Sequence, residues 1–255
     1  MPNGLGVRIA AHRVFNLIPC VVLLILVVLD YGQISIPDMV IFYALVGALL
    51  LTEMFAIEVS EGLWFSWETT FYVGFILSYP RITVVMAGIC GGIFLAILKR
   101  KGWSSVLFNH AMLAALSVLA LVLTDDIVPY KPVGGALSPS YDITFSIIYF
   151  VSNVLMIMAN YLVRFGINKD FLAFCASLFQ PAALGAYGVS LMTGFLLSLT
   201  IHGSGLTGAI LFTALILIVS RVYREYFKMA QHFKDLAITD ELTRLHNHRY
   251  IHTWM

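Results

Sequence analysis

The feature that most restricts the fold of this chain is a series of apolar runs, each about as long as a helix that crosses a bilayer. Such a helix needs about 20 apolar residues, with roughly 17 to 25 the usual range. Eight stretches meet that requirement, near residues 14–30, 38–57, 63–80, 82–98, 103–123, 142–163, 178–201 and 205–220. In lipid, every backbone N–H and C=O must be satisfied within the segment, which a helix achieves and an open strand does not. The expected fold class is therefore all-α, a polytopic transmembrane helical bundle of about eight spans over residues 1–220. Composition agrees: the chain is 60% hydrophobic and 11% charged, against about 45–50% and ~25% in soluble domains.

The third run contains Ser66, Glu68, Thr69 and Thr70, polar enough for a broken or re-entrant segment lined by protein. It is divided from the fourth by Tyr79-Pro80-Arg81, where proline ends one helix and a tight hairpin leads into the next. The seventh run begins early, at Phe171, and Gln180-Pro181 within it predicts a kink or an interfacial lead-in. The first run lies behind Arg8 and Arg13 but lacks a small-x-small cleavage site, so it reads as an uncleaved first helix. Lys and Arg enrich cytoplasmic loops. An inside N-terminus collects Arg8, Arg13, Lys99, Arg100, Lys101, Arg164 and Lys169 on the cytoplasmic face and leaves Arg81 and Lys131 outside. Both termini are then cytoplasmic in a multi-pass protein of the inner (cytoplasmic) membrane. The turn-rich segment Thr124 to Ser140, with Asp125, Asp126 and three prolines, falls outside.

Ionisable and amide side chains within spans are costly and often mark function. Glu53 and Glu68 fall toward the cytoplasmic halves of neighbouring helices and are expected to share one polar cluster. Asn109 and His110 in the fifth span, Asn153 and Asn160 in the sixth, and Gln180 in the seventh either line a ligand cavity or join helices by hydrogen bonds, the commoner use. His202 reads as part of a solvated turn beside Gly203 and Gly205. Gly88 and Gly92, with Gly91 between, form a small-residue face for close helix packing. Trp64, Trp67 and Trp103 read as interfacial anchors. Cys20, Cys90 and Cys175 are far apart in apolar runs and read as buried small hydrophobes, with no metal site. A net charge of +1 without a basic cluster gives no support to nucleic-acid binding. No catalytic residue is assigned.

From residue 205 to about 238 the apolar pattern changes to heptads. Ala209, Phe212, Ile216, Val219, Tyr223, Tyr226, Ala230, Phe233 and Ala237 are spaced by threes and fours, the a/d seam of a coiled coil. A second seam, Val222, Tyr226, Met229, Phe233 and Leu236, shares two of its members. Residues 221–239 are thus expected to leave the membrane as a signalling helix in a parallel homodimer, with two seams close in free energy. A helix that packs its broad apolar face on its own bundle is the alternative.

Beyond it, Asp240, Leu242, Thr243, Leu245, Asn247, Arg249 and Tyr250 follow the D-x-L-T-G-L-x-N-R-R-[YF] pattern. Residues 240–255 therefore resemble the start of a bacterial GGDEF (diguanylate cyclase) domain. Arg244 stands where that family usually has Gly, and His248 where it often has Arg. The resemblance implies a cyclase domain truncated at its first helix, since Met255 precedes the signature loop and the metal-binding carboxylates. In such a domain GTP and Mg²⁺ are the substrate and cofactor, and two GTP are condensed to cyclic di-GMP; this chain itself is assigned neither. The preceding spans resemble membrane sensor modules of the MASE type, and a small-molecule or membrane signal is implied. Two rivals are a receptor with a degenerate GGDEF domain and a solute-binding or transporter-like membrane component, for which the last helix would be incidental.

Overall fold

A computed structural model of the chain describes residues 3–30, 36–54, 57–60, 63–65, 67–99, 103–128 and 138–238. In order, these form α1 (Asn3–Asp30), α2 (Ile36–Met54), β1 (Ile57–Ser60), β2 (Leu63–Phe65), α3 (Glu68–Ile76), α4 (Arg81–Lys99), α5 (Trp103–Ile127), α6 (Pro139–Phe165), α7 (Lys169–Leu178) and α8 (Pro181–Ile238). Apart from the small hairpin of β1 and β2, the described structure is helical. Arg81–Leu98, Ser104–Ile127, Pro139–Phe165 and Pro181–Ala230 are long and apolar enough to cross a membrane. Ala11–Ile25 and Met39–Leu51 are shorter apolar helices. Large apolar side chains such as Leu24, Tyr43, Ile97, Ile147 and Leu211 are exposed on the outer faces. An apolar exterior of this kind is what lipid solvates.

The stretch 63–80 departs from the full span expected of it. β2 pairs antiparallel with β1, Ile57 opposite Phe65 and Glu58 opposite Trp64, and the helix begins only at Glu68. Nine residues of α3 rise about 14 Å, half the ~30 Å of a hydrocarbon core. Glu68, Thr70 and the residues on to Ile76 are buried in protein, the condition under which an incomplete crossing is tolerated. The turn at residues 77–80 closes with Thr83 N–H donating to the Pro80 carbonyl at 3.0 Å, and α4 follows.

α8 is two helices joined at Gly205, whose φ of 58° and ψ of −141° lie outside helical space and suit only glycine. In a straight helix residues 200 and 208 would be about 12 Å apart, yet a Cβ at Gly208 would collide with the Thr200 carbonyl. The chain therefore doubles back, and its two arms clasp α3. The Thr70 hydroxyl donates to the Ser190 carbonyl at 3.0 Å on the first arm. The Trp67 indole N–H donates to Ser220 Oγ at 2.7 Å on the second. Gly74 and Gly194 let the helices interlock: a Cβ at Gly74 would stand 2.6 Å from Leu197 Cδ2, and one at Gly194 2.8 Å from Val73.

Local chemistry sets the other boundaries. Ser138 caps α6 by accepting from Tyr141 N–H at 3.2 Å, with Pro139 in the first helical position, where its missing N–H costs nothing. Asn168 caps α7 by accepting from Phe171 N–H at 2.8 Å. The expected kink near Gln180-Pro181 is the junction of α7 and α8, so Gln180 is exposed in a turn and belongs to no span. α5 continues to Ile127, which makes Thr124, Asp125 and Asp126 helical, contrary to their placement in a loop. Helix is retained there because the Asp125 carboxylate accepts from the Tyr141 hydroxyl at 2.7 Å, tying α5 to α6. Residues 129–137 lie outside the described residues.

Candidate ligand site in the bundle

Glu68 opens α3 and is only 4% exposed. Its Oε1 lies 3.6 Å from His110 Nε2, and Asn109 Nδ2 donates to Oε2 at 3.5 Å. Tyr72 sits one helical turn after Glu68 and so on the same face. Its hydroxyl is 3.1 Å from the other ring nitrogen, His110 Nδ1. A neutral imidazole supplies one donor and one acceptor. These contacts are met when Tyr72 O–H donates to Nδ1 and Nε2–H faces the Glu68 carboxyl group. Tyr72, His110 and Asn109 thus surround a carboxyl group that is buried in an apolar bundle.

The glycines of α4 make room for this group. A Cβ at Gly88 would stand 2.8 Å from Ala114 Cβ and 3.1 Å from the Tyr72 hydroxyl, and one at Gly92 would stand 3.1 Å from His110 Cβ. Gly91 faces Leu49 at an ordinary 3.6 Å. The small-residue face is thus a packing surface, as expected, and what it packs is the polar cluster.

Three cavities meet at Asn109. One of ≈ 260 Å³ between α3, α5, α6 and the first arm of α8 is lined by Glu68, Thr69, Asn109, Met112, Leu113, Asn153, Ile157, Ala186, Tyr187 and Ser190. Asn153 is 3% exposed; its Oδ1, like the buried Tyr187 hydroxyl, has no hydrogen-bond partner among the described residues. A second, of ≈ 270 Å³, includes His12, Asn16, Asn109, Asn160, Arg164 and Phe174. In it Asn160 Nδ2 donates to Asn16 Oδ1 at 3.0 Å, and Asn160 Oδ1 lies 3.4 Å from His12 Nε2. Asn160 therefore joins α6 to α1. A third, of ≈ 260 Å³, is bounded by Glu68, Ser105, Val106, Asn109 and His110.

Of the residues singled out in the sequence, Glu68, Asn109, His110 and Asn153 come together, and Asn160 lines the neighbouring cavity. The Glu53 side chain, and with it the expected pairing of Glu53 with Glu68, lies outside the described residues. Trp67 is a correction. It is 7% exposed, within the core instead of at an interface, because its indole N–H reaches Ser220 at the other end of the chain. The side chains of Trp64 and Trp103 lie outside the described residues. His202 is exposed near the bend of α8, as a solvated position requires, with its Nδ1 2.8 Å from the Ser198 carbonyl oxygen. The three cysteines are free and half-buried. Among the described residues no three His, Cys, Asp or Glu side chains are grouped so as to hold a metal ion.

Along the second arm of α8, Ala209, Thr213, Ile216 and Ser220 are buried against the chain's own bundle. The upper part of the first heptad seam is thereby corrected: Ala209 and Ile216 are used within the molecule, because α3 and α2 lie beside them. Beyond Ser220, Val222, Tyr223, Tyr226, Met229 and Phe233 are exposed large hydrophobics, and Ala230 is exposed with them. The side chains of Leu236 and Ala237 lie outside the described residues. So do residues 239–255, with Asp240, Leu242, Thr243, Leu245, Asn247, Arg249 and Tyr250. Tyr72, Tyr187, Asn16 and Ser220 were not singled out in the sequence. Tyr72 alone had a signal there, its four-residue spacing from Glu68. No protein family, curated protein or solved structure matches the chain.

Proposed function

We propose that this chain is the membrane sensor of a diguanylate cyclase, in which eight hydrophobic segments, one of them the incomplete α3, hold a polar ligand site. Both termini face the cytoplasm in this reading. A second copy of the chain pairs with it along the helix after Ser220, and the GGDEF domain that begins near Asp240 makes cyclic di-GMP from two GTP with Mg²⁺. The observation that carries the reading is the 2.7 Å hydrogen bond from Trp67 to Ser220. Trp67 immediately precedes Glu68, so a ligand that moves the start of α3 moves a side chain bonded to the outgoing helix. That helix is unbroken from Leu206 to Ile238. A displacement at Ser220 is therefore passed rigidly toward Asp240.

The same bond favours a sensor over a solute carrier, because a carrier has no use for a rigid connection between its site and a helix that leaves the bundle. The lower seam supports the pairing. Counted at ~100° per residue, the stripe Val222, Tyr226, Met229 and Phe233 is turned roughly 140° from the buried face Ala209, Thr213, Ile216 and Ser220, so the chain's own bundle does not cover it. A two-state element biased from a distant site is what signal coupling needs.

Cysteine crosslinking tests this in membranes. With Cys20, Cys90 and Cys175 replaced by Ser, Met229→Cys and Ala230→Cys are oxidised separately. A covalent dimer at either position is expected, with the ratio between them altered by Trp67→Phe. No crosslink at either position defeats the dimer, and a ratio indifferent to Trp67 defeats the coupling.

A further inference from the structure

We infer that the ≈ 260 Å³ cavity at Glu68 is a binding site for a small organic cation, a primary alkylammonium, held by the Glu68 carboxylate, Asn153 Oδ1 and the Tyr187 hydroxyl. Two of the donors in the lining are already engaged. Asn109 Nδ2 is engaged with Glu68, and the Ser190 hydroxyl donates to the Ala186 carbonyl at 3.1 Å. Against these, Asn153 Oδ1 is a buried acceptor without a partner among the described residues, and the buried Tyr187 hydroxyl, which can accept as well as donate, is also unpaired there. A buried amide oxygen left in that state costs about 1–3 kcal/mol. It is tolerated where a ligand donor meets it.

Charge points the same way. With the imidazole neutral, the Glu68 carboxylate at the cavity wall supplies the negative charge that a bound ammonium would meet. An ammonium supplies three N–H donors and no acceptor, enough to meet the carboxylate, Asn153 Oδ1 and the Tyr187 oxygen together. Met112, Leu113 and Ile157 line the same cavity and provide an apolar wall for a short alkyl chain. Ligand pockets commonly combine such walls with a few placed polar groups. An inorganic cation would leave that wall without a counterpart.

The inference gives the sensor reading its ligand class and rests on it for its physiological meaning, but binding is measured on the chain alone. Butylammonium chloride, butanol and potassium chloride are titrated at pH 7 into the full chain in nanodiscs by calorimetry. Saturable binding of butylammonium is expected, with butanol at least tenfold weaker and potassium unable to compete at equal concentration. Glu68→Gln and Tyr187→Phe should each weaken butylammonium about tenfold, the equivalent of one hydrogen bond to a charged group. Both changes are near-isosteric, and thermal unfolding of each variant reports that the bundle is intact. Equal binding of butanol, displacement by potassium, or affinities unchanged in both variants would overturn the site. Butylammonium is then added to the crosslinking experiment at Met229 and Ala230. Binding that leaves the crosslink ratio unmoved upholds the cation site and defeats the sensor reading, whereas a dimer with no amine binding does the reverse.

Discussion

Around Glu68, polar side chains stand among apolar helices, whereas beyond Ser220 most of the large apolar side chains stand exposed, only Phe227 being half-buried. The first region carries a buried carboxylate, an imidazole and two amides where insertion of a single charge costs about 2.5–3.5 kcal/mol. The second exposes Val222 at 65%, Tyr226 at 65% and Phe233 at 67%. Each region is mismatched to its surroundings in the opposite sense. The polar mismatch is largely settled inside the chain, by Tyr72, His110 and Asn109, and leaves over the acceptors of Asn153 and Tyr187. The apolar mismatch is settled inside the chain only in part, by the half-burial of Phe227. In the reading proposed above the interior site takes a small ligand, while the outer stripe, most of it within the apolar segment Pro181–Ala230, meets lipid or a second copy of the chain.

The largest expected effect comes from breaking the interior side of this contrast. His110→Ala takes a partner from both the Glu68 carboxyl group and the Tyr72 hydroxyl and should destabilise the chain by about 1–3 kcal/mol for each group, while Glu68→Leu with His110→Leu, which deprives only the Tyr72 hydroxyl, should cost less. Thermal unfolding in one detergent compares them; equal losses in both would show that Glu68 and His110 do not act as a pair. A smaller effect is expected at the link between the regions. Trp67→Phe should cost about 1 kcal/mol, the worth of one hydrogen bond, and should combine non-additively with Ser220→Ala, as contacting residues do. Strict additivity in a double-mutant cycle would mean that the bond at 2.7 Å carries no energy. The smallest effect on stability is expected outside. Met229→Lys with Tyr226→Ser should leave unfolding within about 0.5 kcal/mol, as for surface positions generally, yet abolish dimerisation seen by light scattering. A large loss of monomer stability would place that stripe against the chain itself.

Much of the helical framework was legible because apolar run length and the punctuation of Pro80, Pro139, Pro181 and Gly205 act locally. α3 was not delimited, since Leu63, Trp64 and Phe65 are as apolar in a strand as in a membrane helix, and only the pairing with Ile57–Ser60 separates them. Trp67 was misplaced for a related reason. Tryptophan suits both a membrane interface and a core, and its deciding partner lies 153 residues away. Glu68, Asn109, His110 and Asn153 could be named as costly residues, but their convergence depends on helix rotation, which nearly uniform apolar segments do not encode. The Gly88 and Gly92 pattern was readable as packing. That it packs a phenol and an imidazole was not.

α3 also fixes an order of events during synthesis. It is the third helix to leave the ribosome, but the groups that seal it come far later: the Ser190 carbonyl is 120 residues downstream of Thr70, and Ser220 is 153 downstream of Trp67. Until the hairpin around Gly205 has been made, this nine-residue helix is covered only by α2, α4 and α5. A chain that stopped before residue 190 would lack the groups that meet Thr70 and Gly74. The bend at Gly205 thus closes the bundle in time as well as in space.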